Sequence, residues 1–250
     1  MSSLMDSGIH INDQLLKAGI PVVAGLIAYM IYWFAQESDR IKEKLMRKFG
    51  EEGGSVKLIL GAKYLGAITL GILPFMAYRI AFPDTSLKEF GVWLNNETAL
   101  MSLLLIIGLG GIMVLVGSML SKSPNVLAKQ PEIRIKEWPR SLLFYNLLAW
   151  AVYLLGYEFF FRGVLLFPLV ESIGMWPAIG VNVIFYAGVH IPKGADEVLA
   201  AVPLAIVLCL LTVKTGTIWI AYFVHVAMAW TVTLSALKHQ ANMRIINSKR

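Results

Sequence analysis

The run Tyr153-Leu154-Leu155-Gly156-Tyr157-Glu158-Phe159-Phe160-Phe161-Arg162-Gly163-Val164-Leu165-Leu166-Phe167 holds one carboxylate and one guanidinium in otherwise aromatic and aliphatic sequence. It sits within a longer apolar stretch, residues 142–170. Glu158 and Arg162 are four residues apart, a little over one helical turn, so on a helix they share a face and can touch. A charge at the centre of a bilayer costs ~2.5–3.5 kcal/mol or more. Charges persist there when they pair, face a wet interior and serve a function. If this stretch is a membrane helix, the pair is a candidate site.

Composition supports the membrane reading. The chain has 250 residues, 57% hydrophobic and 15% charged, against about 45–50% and about 25% for a soluble domain. Its apolar residues come in long blocks, which predicts an all-α, polytopic transmembrane helical bundle. No polar stretch is long enough to form a second, soluble domain. The net charge of +6 does not indicate a nucleic-acid partner, because the basic residues cluster in loops beside apolar runs, the positive-inside pattern. Cys209, the one cysteine, lies in an apolar run and excludes an internal disulfide or a cysteine metal cluster. Residues 1–15 are polar, and no small-residue cleavage site follows the first apolar run. That run is expected to be an uncleaved helix rather than a signal peptide.

A span needs ~20 mostly apolar residues. The candidates are residues 18–35, 58–78, 98–120, 141–170, 176–191, 196–213 and 217–237, about seven spans on that length criterion. The polar loop 36–57 carries Arg40, Lys42, Lys44, Arg47, Lys48 and Lys57. The loop 121–140 carries Lys122, Lys129, Arg134, Lys136 and Arg140 and is broken by Pro124, Pro131 and Pro139. Both loops are placed in the cytoplasm. The expected topology is therefore a multi-pass cell-membrane protein with its amino terminus outside and its carboxyl terminus cytoplasmic. The basic tail with Lys238, Arg244, Lys249 and Arg250 agrees with that orientation. Lys63, near the start of the second span, is expected to snorkel to the headgroups. Gly108, Gly110, Gly111 and Gly117 in the third span predict a close helix neighbour. The fourth element, ~45 Å long if helical throughout, is expected to tilt, to break near Gly163 or to run on to Pro168.

The ionisable groups admit more than one use. Glu158, aimed by Arg162, could take a proton from water as a general base; equally, the two could be an ion pair that fixes helix packing. His190, just before a Pro-Lys-Gly turn, and His225 lie in apolar surroundings, where function is the default reading. His10 and His239 stand in polar ends and are expected to be idle. Phe159-Phe160-Phe161 reads as packing rather than a substrate platform. Glu197 is either a helix N-terminal charge or a second carboxylate near His190. His-Glu-x-x-His, Gly-x-Ser-x-Gly, the P-loop and the dinucleotide glycine fingerprint are all absent from the sequence.

Glu158-x-x-x-Arg162-Gly163, then Tyr186-x-x-x-His190, then His225 in the last apolar run together resemble the CAAX protease and bacteriocin-processing enzyme (CPBP) family of intramembrane endopeptidases. The likeness divides the chain into N-terminal membrane helices and basic loops, residues 1–140, and a CPBP-like catalytic membrane core, residues 141–250. It implies hydrolysis of a peptide bond in a membrane-associated or CAAX-like substrate. In the family a glutamate and the middle histidine activate water, and the last histidine, with an asparagine one turn on, supports the oxyanion. Carried over, Glu158, Arg162, His190 and His225 are the catalytic residues, with Tyr157, Tyr186 and Glu197 in supporting places. The implied partners are the lipid bilayer and a peptide or protein substrate. The chain departs from the pattern twice: Tyr157 stands where the first of two adjacent glutamates is usual, and Ala229 where the asparagine is usual. These departures leave open a catalytically inactive CPBP-like scaffold or binding protein. A proton-coupled transporter using the same ionisable groups is a further alternative. No cofactor is required by the glutamate mechanism. Zinc held by Glu158, His190 and His225, with a fourth position for water, ranks second.

Overall fold

The computed structural model describes residues 2–247, and the side chains of residues 13–247 other than Lys193. Lys249, Arg250 and the side chain of His10 lie outside the described residues. The chain runs as α1 (Ser2–Glu37), α2 (Asp39–Gly66), a π-helical turn (Ala67–Ile72), α3 (Leu73–Ala81), a short 3₁₀ turn (Leu87–Phe90), α4 (Ala99–Leu120) and α5 (Pro124–Lys129). Then follow β1 (Glu137–Pro139), α6 (Arg140–Glu158), a second π-helical segment (Phe159–Leu165), α7 (Leu166–Ile173) and α8 (Met175–Gly188). A 3₁₀ turn (Ile191–Lys193), α9 (Ala195–Thr215), α10 (Trp219–His239) and β2 (Arg244–Ile246) complete the order.

Among the described residues, six helices are long and apolar enough to cross a membrane: Asp13–Glu37, Asp39–Ala81, Ala99–Leu120, Arg140–Ile173, Ala195–Thr215 and Trp219–His239. α8 is apolar but shorter. Gly174, at φ 85°, starts it, and Pro192 follows its end. This is the expected polytopic helical membrane fold, with the fifth apolar element, expected over 176–191, ending three residues early at Gly188.

The polar segment at 36–57, read from the sequence as a loop, is almost wholly helical. Only Ser38 separates α1 from α2, and its hydroxyl accepts from the Ile41 amide as an N-cap. Lys, Arg, Glu, Leu and Met dominate the segment, and these side chains lose little freedom in a helix. Its one irregularity is Gly50, at φ 73° and ψ 169°, a conformation a residue with a Cβ adopts at a cost.

The chain forms two compact units. The first comprises residues 1–28, 70–103 and 157–221. In it the Phe90 ring meets Phe75 at 5.5 Å, Tyr78 at 5.5 Å and Phe159 at 6.1 Å. The Gly91 carbonyl accepts from the Thr217 hydroxyl at 3.1 Å and from the Ile218 amide at 3.0 Å. The Trp219 indole donates to the Val92 carbonyl at 2.8 Å. These bonds tie the segment between α3 and α4 to the turn between α9 and α10. Lys17 pairs with Glu171 at 2.6 Å.

The second unit comprises residues 29–69, 104–156 and 222–250. Its core gathers Ile133, Ile135, Trp138 and Leu237 against Val56, Ile59, Leu142 and Met243. β1 and β2 pair in parallel beside it, with Trp138 opposite Ile245. Lys63 does not snorkel: it is 5% exposed, pairs with Glu132 and lies 3.7 Å over the Trp150 ring. A nearby carboxylate and an aromatic face replace the headgroups as its solvation. Of the glycines in α4, Gly117 supports a close neighbour, its would-be Cβ meeting Thr231 and Val232 at 3.4 Å. Gly108 and Gly111 face open space.

Gly156 marks the tightest helix approach in this unit. A Cβ there would lie 2.5 Å from the Ala67 carbonyl oxygen and 2.7 Å from its Cα. Backbone atoms cannot move aside by changing rotamer. Gly156→Ala is therefore expected to destabilise the protein by ~1–3 kcal/mol, the usual cost of overpacking, and to lower its melting temperature in detergent. Gly108→Ala is the control and is expected to leave it unchanged. Equal melting temperatures for the two variants would refute the close approach.

Candidate active site

The site is built where helix regularity fails. α6 ends at Glu158 and the next seven residues, Phe159–Leu165, are π-helical. Such segments are rare and concentrate at functional positions. Gly163 belongs to the same device: a Cβ there would fall 2.9 Å from the Phe90 carbonyl oxygen, so the glycine after Arg162 lets another backbone come close. Phe160 and Phe161 are each 1% exposed and serve as packing, as expected. The Phe160 ring lies where a Cβ on Gly25 would be, 2.1 Å away.

Glu158 and Arg162 are both fully buried, with Arg162 Nε 3.4 Å from Glu158 Oε2. Isolated ions at zero exposure would cost several kcal/mol each, so the pairing is obligatory. Arg162 is held from the other side as well. Its Nη1 donates to Asn182 Oδ1 at 2.9 Å, and its guanidinium lies 5.0 Å over the Tyr186 ring. Asn182, on α8 and fully buried, donates in turn to the Phe161 carbonyl at 2.5 Å. Cys209, on α9, donates its thiol to Asn182 Oδ1 at 3.2 Å.

The other expected residues of the first unit lie close by. Tyr157, 6% exposed, packs its ring 4.5 Å from Phe161 and 5.8 Å from Tyr186. An aromatic ring thus occupies the position where a second carboxylate is usual. The Tyr186 ring stands 4.9 Å from His190, and His190 Nδ1 lies 2.8 Å from the Tyr186 carbonyl oxygen. A carbonyl only accepts, so Nδ1 donates to it, which fixes the orientation of the ring. Glu197 is in the first turn of α9 and half-buried, a favourable place for an anion. His225 belongs to the second unit, on α10, and is 9% exposed. Ala229, one turn further on, is half-buried.

Among the described residues, no group of three or more His, Cys, Asp and Glu side chains is arranged to hold a metal ion.

Sequence reasoning passed over Asn182 and Cys209. The available signal was spacing: Asn182 and Tyr186 are four residues apart and so share a face of α8, and His190 follows at the same interval just beyond its end. A lone amide in an apolar helix has the same claim to function as a lone histidine.

The fold and this site define a polytopic α-helical membrane protein with a buried carboxylate–guanidinium pair on an interrupted helix. Residues 139–231 match the family model described as Type II CAAX prenyl endopeptidase Rce1-like. That segment is similar to this family, and it contains Tyr157, Glu158, Arg162, Tyr186, His190, Glu197 and His225. No curated protein and no solved structure matches the chain.

Proposed function

We propose that the chain is an intramembrane endopeptidase that cleaves a peptide bond near a hydrophobic, CAAX-like substrate end. Glu158 takes a proton from water while His190 Nε2 accepts a hydrogen bond from the same water. The resulting hydroxide adds to the scissile carbonyl carbon, and His225 donates to the oxyanion. When the tetrahedral intermediate collapses, Glu158 returns the proton to the leaving amine, giving one new carboxylate and one new amine. Arg162 keeps Glu158 ionised and aimed. The observation that carries this reading is a wholly buried Glu158–Arg162 pair inside a segment that matches a CAAX endopeptidase family. Ala229 supplies no oxyanion donor. A missing donor of this kind costs ~10²–10³ in rate, so turnover is expected to be slow.

The test uses the full chain in lipid vesicles with a prenylated peptide ending in a CAAX sequence, its products read by mass spectrometry. Cleavage by the wild type and its loss in His190→Ala and His225→Ala, with melting temperatures kept, is the expected outcome. Full cleavage by both variants would reject the mechanism.

A second reading is a protease fold without turnover, which binds its partner and releases nothing. It is favoured by Tyr157, whose ring fills the place of the usual first carboxylate. It predicts stable retention of the same peptide with no new termini.

A further inference from the structure

We propose that Asn182 is the positioning residue of this site: it holds the Arg162 guanidinium so that the Nε edge faces Glu158. The inference rests on the reading of Glu158 as the working carboxylate, and it names a residue outside the family-like set of Glu158, Arg162, His190 and His225.

The argument is one of hydrogen-bond accounting. A guanidinium has five N–H donors in a fixed fork, so anchoring one edge orients the other. Asn182 Oδ1 takes Nη1 at 2.9 Å, and Nε lies 3.4 Å from Glu158 Oε2, within ion-pair distance. The amide could turn over and present its NH₂ to Arg162, which would repel the guanidinium. Two contacts prevent this. Asn182 Nδ2 donates to the Phe161 carbonyl at 2.5 Å, which only accepts. Cys209 Sγ donates to Oδ1 at 3.2 Å, and its thiol is a second donor on the oxygen side. The orientation of the amide is thus fixed by a carbonyl within the π-helical segment and by a thiol on α9. Asn182 is 0% exposed, so water cannot take over any of these roles. The π-helical segment adds meaning to the contact with Phe161. The residue that anchors Arg162 also grips the backbone one position before it, so the guanidinium and its own main chain are held from a single point on α8.

The role separates from mere packing through two substitutions. Asn182→Leu keeps the branching at Cγ and removes the anchor. Asn182→Asp keeps the acceptor for Arg162 but adds a carboxylate that competes with Glu158 for the guanidinium and loses the donor to Phe161. If Asn182 positions Arg162, kcat on the prenylated CAAX peptide falls ~10²-fold in both variants, the usual penalty for a misplacement of about 1 Å, with KM within a factor of about 3. The aspartate variant is the decisive one: it is expected to stay folded, because Arg162 keeps a charged partner, and still to lose turnover. A purely structural asparagine predicts a folded aspartate variant with wild-type kcat, and that result would overturn the proposal.

A second readout does not need turnover. Cys209 is the one cysteine in the chain, so the infrared S–H stretch of the protein reports the bond to Asn182 Oδ1 alone. The band is expected to move to higher frequency in Asn182→Leu, where the acceptor is gone, and to lower frequency in Asn182→Asp, where the acceptor is stronger. An unmoved band in both variants overturns the hub. Shifted bands in a protein that never cleaves the peptide support the hub and overturn only the endopeptidase reading.

Discussion

Glu158→Gln is expected to lower kcat by ~10²–10⁴, the contribution of a well-placed general base, and Glu158→Asp by ~10² through retraction of the carboxylate by about one methylene. The two variants fail for different reasons, which makes the pair more informative than either. The glutamine keeps the length and an oxygen for Arg162 but cannot carry a proton from water to the leaving amine. The aspartate keeps the charge and the ion pair but moves the base away from the water. Both oxygens of Glu158 belong to a buried side chain. The measurement is steady-state cleavage of the prenylated CAAX peptide by full-length protein in vesicles, with folding checked by melting temperature. A folded Glu158→Gln variant that cleaves at the wild-type rate would remove Glu158 from the chemistry.

Arg162→Met is expected to have the largest effect on stability. Arg162 and Glu158 are both at 0% side-chain exposure. Removing the guanidinium takes the opposite charge away from a fully buried carboxylate. Breaking a buried pair in this way costs ~3–5 kcal/mol. It also takes one of its two donors, the Arg162 Nη1–H, from Asn182 Oδ1, which keeps the Cys209 thiol. The double variant Glu158→Gln/Arg162→Met removes both charges at once. It should recover most of the lost stability, because a buried pair replaced by uncharged groups of similar volume is close to neutral. Unfolding in mixed micelles of increasing denaturing detergent measures all four corners of the cycle. Additive losses would mean that the two side chains do not interact, whatever their distance.

Several features were legible from residue order alone. Long apolar blocks relieved by few charges can satisfy their backbone polar groups in a bilayer only as helices, and the six long apolar helices follow from that. The Glu158–Arg162 contact is a four-residue contact, encoded by the pitch of the helix before any tertiary structure exists. The irregularity expected near Gly163 falls at Phe159–Leu165. Other features were not legible because the cause lies in a distant partner. Lys63 is buried rather than snorkelling because Glu132, 69 residues away, comes to meet it. The 36–57 segment is polar for its surroundings, yet polarity does not distinguish a loop from a solvated helix made of Lys, Glu and Leu.

The membrane class, the helical state and the pairing of Glu158 with Arg162 are written in the residue order, since each depends on composition or on spacing within one helix. Tertiary structure alone decided how the guanidinium is held. Asn182 lies 20 residues from Arg162 and Cys209 lies 27 residues from Asn182, on three different helical elements. A hydrogen bond requires two groups within about 3 Å and in line, and no periodicity in the sequence carries that information between separate helices.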